Sequence, residues 1–153
     1  PELDERRASA LCYTSGTTGN PKGVLYNHRS TVLHCYGLSL VDSAALSALD
    51  AVLPVVPMFH VNAWGYPYAA MMVGAKLVFP GHRLSQPELL VDLVNQEGVT
   101  IAGGVPTVWL PLLDYLRNTG RSLAPLNRTV VGGSAAPLSM IEEFRDRHGV
   151  TLL

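Results

Sequence analysis

The sequence predicts an α/β domain in which alternating strands and helices build a largely parallel sheet layered with helices. Three observations support this. Short apolar runs of strand length, 51–56, 99–102 and 129–131, recur along the chain. Between them lie longer segments with apolar residues at helical spacing. Prolines open several of these segments, as expected at the first position of a helix.

Residues 10–13 form an apolar run leading into a Gly- and Thr-rich loop, and residues 23–26 are again strand-like, so the loop joins two extended segments. Asn27 or Ser30 can cap a helix over about 31–40. Residues 51–56 read as a strand ending at Pro57, and 61–73, mostly apolar with small residues, as a buried helix. A strand over 75–79 stops at Pro80-Gly81. Residues 87–96 place Leu89, Leu90, Leu93 and Val94 on one face of an amphipathic helix. A strand over 99–102 precedes a helix from Pro106 to about Asn118. A strand over 129–131, a helix over 137–148 and a strand over 150–153 complete the alternation.

Of the 153 residues, 48% are hydrophobic and 15% charged, with a net charge of −1. Soluble domains average about 25% charged residues, so part of this surface is expected to face further protein. The near-neutral balance gives no electrostatic case for nucleic acid. No apolar run reaches the roughly 18 residues of a transmembrane helix, and no signal peptide is visible. The chain opens at Pro1 and stops in a strand-like GVTLL. Residues 1–153 are therefore expected to be one unit truncated at both ends. The expected compartment is the cytoplasm, with peripheral attachment to a membrane as an alternative. Cys12 and Cys35 lie in apolar segments and read as free buried thiols. The histidines show no zinc-site spacing.

The stretch TSGTTGNPKG, Thr14 to Gly23, gathers hydroxyl residues and glycines around a single lysine. Glycines let a loop turn its amides toward a ligand, and a concave set of amides binds anions, commonly phosphate. A Walker loop requires Gly-Lys followed by Ser or Thr and a helix. Here Pro21 precedes Lys22 and Gly23 follows, so that reading fails. A dinucleotide loop fails on glycine spacing and on the missing helix. What remains is a hydroxyl-rich phosphate clamp between two strands, with an ordinary Gly/Thr turn as the bland alternative.

The full string Tyr13 to Gly23 resembles the signature loop of the adenylate-forming (AMP-binding) enzymes. The resemblance spans the chain. Pro57-Met-Phe-His-Val-Asn-Ala-Trp-Gly65, Gly104-Val-Pro-Thr-Val-Trp109 and Val131-Gly-Gly-Ser-Ala-Ala-Pro137 resemble the version found in medium- and long-chain fatty acyl-CoA synthetases. The resemblance implies activation of a fatty acid with ATP and Mg2+ to an acyl-adenylate, then transfer to coenzyme A. It also implies that the chain is a piece of the large N-terminal domain. A magnesium-binding Glu, a ribose-binding Asp and a C-terminal catalytic Lys would lie beyond Leu153. A homodimer is left open.

By the same resemblance Thr14, Ser15, Gly16, Thr17, Thr18, Gly19 and Lys22 hold the phosphates, Thr17 reaches the magnesium carried by ATP, and Lys22 and His60 are catalytic. His60, Val61, Trp64, Gly104 and Val105 would contact the acid, with Trp64 as a gate to the acyl tunnel. Ala63, Pro106 and Ala135 would help line it. A lone His or Trp in an apolar stretch is otherwise an ordinary packing residue. Gly133, Ser134 and Ala135 would lie along the adenine. The segment Gly132-Gly-Ser-Ala-Ala136 also nearly matches the GxSxG nucleophile elbow. A serine esterase would use Ser134, but only His148 follows it. A non-catalytic nucleotide- or acyl-binding module is the other alternative.

Overall fold

A computed structural model describes residues 2–14 and 19–153. Two strands, β1 (Ala8–Thr14) and β2 (Lys22–Asn27), pair antiparallel as a separate hairpin. Helix α1 (His28–Ser39) follows directly. Then come β3 (Ala51–Pro54), α2 (Val61–Trp64), α3 (Tyr66–Val73), β4 (Lys76–Leu77), α4 (Pro87–Glu97) and β5 (Ile101–Gly104). The chain ends with α5 (Pro106–Thr119), β6 (Arg128–Val131), α6 (Leu138–His148) and β7 (Thr151–Leu152). Strands β3 to β7 form a five-stranded sheet in the order β4-β3-β5-β6-β7, and every neighbouring pair is parallel.

Successive residues of a strand face opposite sides of the sheet, and each side is covered. Val52 and Ile101 pack with Cys35, Tyr66, Ala69 and Ala70 on the side of α1 and α3. Leu53 and Ala102 pack with Leu90, Val94, Trp109, Leu112 and Phe144 on the side of α4, α5 and α6. Strands buried on both faces read as continuous apolar runs, which is why 51–56 and 99–102 were legible. The central strand β5 ends in two glycines for a steric reason. A Cβ on Gly103 would come within 2.5 Å of the Tyr66 ring, and one on Gly104 within 2.8 Å of the Trp109 ring. The rings of the two helical layers press on the backbone from opposite sides.

The order reverses at β3. The chain steps outward to β4, returns to β5 on the other side of β3, and then continues to β6 and β7. In open parallel sheets such a reversal leaves a crevice beyond the carboxyl ends of the strands, where ligands bind.

The expected helix over 61–73 is corrected. It is divided into α2, which is left-handed, and α3, with Gly65 between them at φ +75°. Pro67 lacks an N–H and lies in the first turn of α3, where a helix tolerates it. Inside a helix begun at Val61 it would break the ladder. Strand β3 ends at Pro54, before the expected 56; the N–H of Val55 gives the last ladder bond, to Gly103 O at 2.7 Å.

Candidate functional site

Because the sheet is parallel, the segments after β3, β5 and β6 emerge at the same edge. These segments carry His60, Gly104-Val105 and Gly132 to Ala135. Trp64 lies against the segment after β6: a Cβ on Gly132 would come within 2.9 Å of its indole. Gly133 has φ +81°, and a Cβ there would meet Val105 Cγ1 at 3.0 Å. Trp64, Val105, Gly132 and Gly133 are thus brought together. Ser134 and Ala135 are exposed in the loop before α6.

The hairpin presents the root of the Gly/Thr loop. Thr14 is paired with Lys22, and its hydroxyl donates to Lys22 O at 3.4 Å. Lys22 is exposed and belongs to none of the ion pairs among the described residues. Gly19 has φ +101°, and among the described residues nothing lies within 4 Å of a Cβ placed there. Ser15, Gly16, Thr17 and Thr18 lie outside the described residues. Between the hairpin and the segment after β3 runs a cleft of about 350 Å³, lined by Cys12, Tyr13, Thr14, Val24, Tyr26, Phe59, His60 and Val61. Thr14, His60 and Val61, expected at one site, therefore share a cleft. Lys22, Gly104 and the 133–135 loop do not line it.

The turn between His60 and Gly65 has unusual backbone geometry. Val61, Asn62, Ala63 and Trp64 have φ of 49°, 52°, 50° and 55°. For L-residues a left-handed helical conformation costs roughly 1–2 kcal/mol per residue, and a β-branched residue there is an outlier. Bonds from outside the turn hold it. The Cys12 thiol donates to Asn62 Oδ1 at 3.3 Å. His34 Nε2 lies 3.0 Å from Trp64 O, and since a carbonyl only accepts, that ring nitrogen carries the proton. At Gly65 a Cβ would collide with the His34 ring.

A second cavity, of about 180 Å³, lies behind this turn. Tyr26, Ser30, Thr31, His34, Val61, Asn62, Gly65 and Tyr68 line it. Ala63 is fully buried and Pro106 is buried, so neither lines this space. Beyond the turn itself, its lining comes from β2, α1 and α3. A spacing signal was present: His34 stands four residues after Ser30 and three after Thr31, and so is a neighbour of each on the surface of α1.

The esterase reading fails on distance. Ser134 precedes α6 and His148 ends it, and eleven helical residues span about 16 Å. Burial lowers the pKa of His148, opposed by Glu143, and its ring packs edge-on to Phe144 at 6.5 Å. Burial pushes the Tyr66 phenol well above its ordinary value. Among the described residues no group of His, Cys, Asp or Glu could hold a metal ion. No helix among them is long and apolar enough to cross a membrane.

The sequence pattern of the family described as AMP-binding enzyme matches residues 1–153. The chain belongs to that family. Among curated AMP-binding relatives, a 3-methylmercaptopropionyl-CoA ligase of Ruegeria pomeroyi is 62% identical over 98% of this chain and 28% of its own length. A medium-chain-fatty-acid–CoA ligase of Ectopseudomonas oleovorans is 60% identical over 100% and 28%. A long-chain-fatty-acid–CoA ligase of Thermus thermophilus is 62% identical over 97% and 27%. The chain thus spans between a quarter and a third of these relatives. The o-succinylbenzoate coenzyme A synthetase of Bacillus subtilis, solved with ATP and magnesium, superimposes with a TM-score of 0.83 at 26% identity, over 98% of this chain and 30% of that one.

Proposed function

We propose that the protein carrying this chain activates a fatty acid with ATP and passes the acyl group to coenzyme A. The observation that carries this reading is the cleft joining Thr14, at the root of the phosphate loop, to His60, beyond the sheet's reversal. The relatives named above, all acyl-CoA ligases, support it.

A carboxylate is a poor electrophile, and activation brings two anions together. A carboxylate oxygen of the acid attacks the α-phosphorus of ATP, and pyrophosphate leaves. The thiol of coenzyme A then attacks the acyl carbon, and AMP leaves. The first step needs charge held and oriented where it develops. Lys22 supplies a point charge beside the loop, and the loop hydroxyls and amides supply donors. Magnesium bound with the nucleotide would neutralise further phosphate charge, with Thr17 as its proposed protein contact. His60 is proposed to orient the acid's carboxylate. Gly133, Ser134 and Ala135 form an exposed loop where a flat base could lie against backbone, the proposed adenine contact. Val61, Trp64, Gly104 and Val105 are the proposed acyl contacts, with Trp64 as gate.

The test is ATP–pyrophosphate exchange by the full-length protein with saturated acids from acetate to palmitate and with amino acids. An apolar site gains about 0.8 kcal/mol for each methylene removed from water, so kcat/KM should rise with chain length until the site is filled. Preference for acetate or for an amino acid would refute the fatty-acid reading. Lys22→Ala should reduce exchange at saturating acid about 100-fold or more, the scale of a lost charge-stabilising donor. Unchanged exchange would remove Lys22 from the assignment.

A further inference from the structure

The strand that leads into the phosphate loop and the turn that follows His60 are joined by a side-chain bond. Cys12 stands two positions before Thr14 and is the buried side chain of β1. Its thiol donates to Asn62 Oδ1 at 3.3 Å. Asn62 sits at φ 52°, ψ 40°, inside the left-handed turn, a conformation that Asn tolerates better than most residues. The turn begins at exposed His60, which lines the cleft, and ends at Trp64 against Gly132. Val61 and Ala63, on either side of Asn62, have no side-chain polar group to bond the turn. The Asn62 amide is therefore its internal handle, and Cys12 holds that handle from the nucleotide side.

We propose that Cys12 and Asn62 are positioning residues for acid activation, and that their bond holds the acid-facing turn in place against β1. The proposal rests on the fatty-acid activation reading. Neither residue touches the reacting atoms. The thiol fixes the Asn62 side chain, the Asn62 side chain fixes the turn, and the turn sets His60 at one end and Trp64 at the other. Loss of either partner should release Asn62 from β1, while the hairpin register from Leu11 to Thr14, which rests on pairing with β2, should persist.

The test compares Cys12→Ala, Cys12→Ser, Asn62→Gly and the Cys12→Ala/Asn62→Gly double variant of the full-length protein. Asn62→Gly keeps a residue at ease in the left-handed region and removes the whole side chain, amide included. In pyrophosphate exchange each of Cys12→Ala and Asn62→Gly should raise the KM for the acid about two- to tenfold, the worth of one hydrogen bond. The KM for ATP should stay within about twofold. The double variant should be no worse than the poorer single one, as expected for two residues acting through one bond. Cys12→Ser, whose hydroxyl can donate to the same oxygen, should restore the acid KM. Multiplying single effects, equal shifts in both KM values, or a Ser variant as impaired as Ala would each overturn the proposal. A readout independent of turnover is alkylation of Cys12 by iodoacetamide, followed by peptide mass. Asn62→Gly should speed it about tenfold by opening the cover over the thiol, and an unchanged rate overturns the proposal. A wild-type protein that exchanges pyrophosphate with no acid would overturn the activation reading, and the alkylation rate would still decide whether the thiol and the turn are linked.

Discussion

Gly103 and Gly104 stand where a central parallel strand would ordinarily carry β-branched residues. Each lies under an aromatic ring that is at most 2% exposed, Tyr66 on one face and Trp109 on the other. A methyl group at either position forces a buried ring aside, and overpacking of this kind costs about 1–3 kcal/mol. Gly104→Ala should therefore lower the midpoint of urea unfolding with no change in its slope. An unchanged midpoint would mean that the Trp109 ring yields freely. Gly104 was visible in the sequence as the start of a family-like string. The steric reason for the pair was not. The Tyr66 ring comes from a helix 37 positions before Gly103, and the Trp109 ring, five positions after Gly104, meets it only once α5 packs back on the sheet. The same holds for Trp64: its contact with Gly132 spans 68 positions and no local pattern encodes it.

At the scale of elements, α1 is the clearest case of local coding. The Asn27 side chain accepts from Ser30 N at 2.7 Å, and Ser30 Oγ accepts from Asn27 N at 3.2 Å, a reciprocal capping box. The sequence reading offered Asn27 or Ser30 as the cap of a helix over about 31–40; the cap is Asn27, and the helix begins earlier, at His28. Asn27→Ala should cost about 1 kcal/mol, the usual worth of an N-cap, read as a lower thermal midpoint. Ser30→Ala should give part of that loss, since the bond from Ser30 N to Asn27 Oδ1 survives. The turn α2 is the opposite case. Its composition is apolar and small, which fits a buried helix, yet all four residues are left-handed. The conformation is imposed from outside, by Cys12 and His34, and strain of this kind clusters at functional sites. Pro67, placed too deep for a helix starting at Val61, was the local sign of the break.

Across the whole molecule, the edge opposite the site is tied by charge. Arg128 lies 2.8 Å from Asp50, and its Nε donates to Ala44 O at 2.9 Å. Thr100 Oγ1 donates to Asp50 Oδ1 at 2.7 Å. The network joins the loop before β3 to β5 and β6. Burial opposes ionisation of Asp50, yet the bonds from Thr100, the Ser47 backbone and Arg128 outweigh it and hold the carboxyl below its ordinary 3.8. Stabilisation from a lowered carboxylate is present above that value and is lost as pH falls through the folded-state value. Acid unfolding should begin there, and Asp50→Ala, which leaves Arg128 without its counter-charge, should cost about 3 kcal/mol. His148 acts at milder pH. Its imidazolium is disfavoured by burial, so below the ordinary 6.5 the unfolded chain binds a proton that the folded one does not. Stability should decline as pH drops from 7 toward 5, and His148→Gln should flatten that decline. An equally steep decline in the variant would assign it to other groups.

By itself the sequence determined the fold class, the alternation of elements and the phosphate-loop string, because these are written in local terms. Strands buried on both faces are continuous apolar runs, helices carry their caps and opening prolines, and a loop that wraps an anion must be rich in glycine and hydroxyls. Tertiary structure alone decided the strand order, and with it the edge where the order reverses. It also decided that Thr14 and His60 share a cleft, that α2 is left-handed, and that α1 rather than Pro106 walls the inner cavity. Each of these depends on contacts between residues far apart in the chain. A one-dimensional pattern records which face of an element is apolar, but not which partner covers that face.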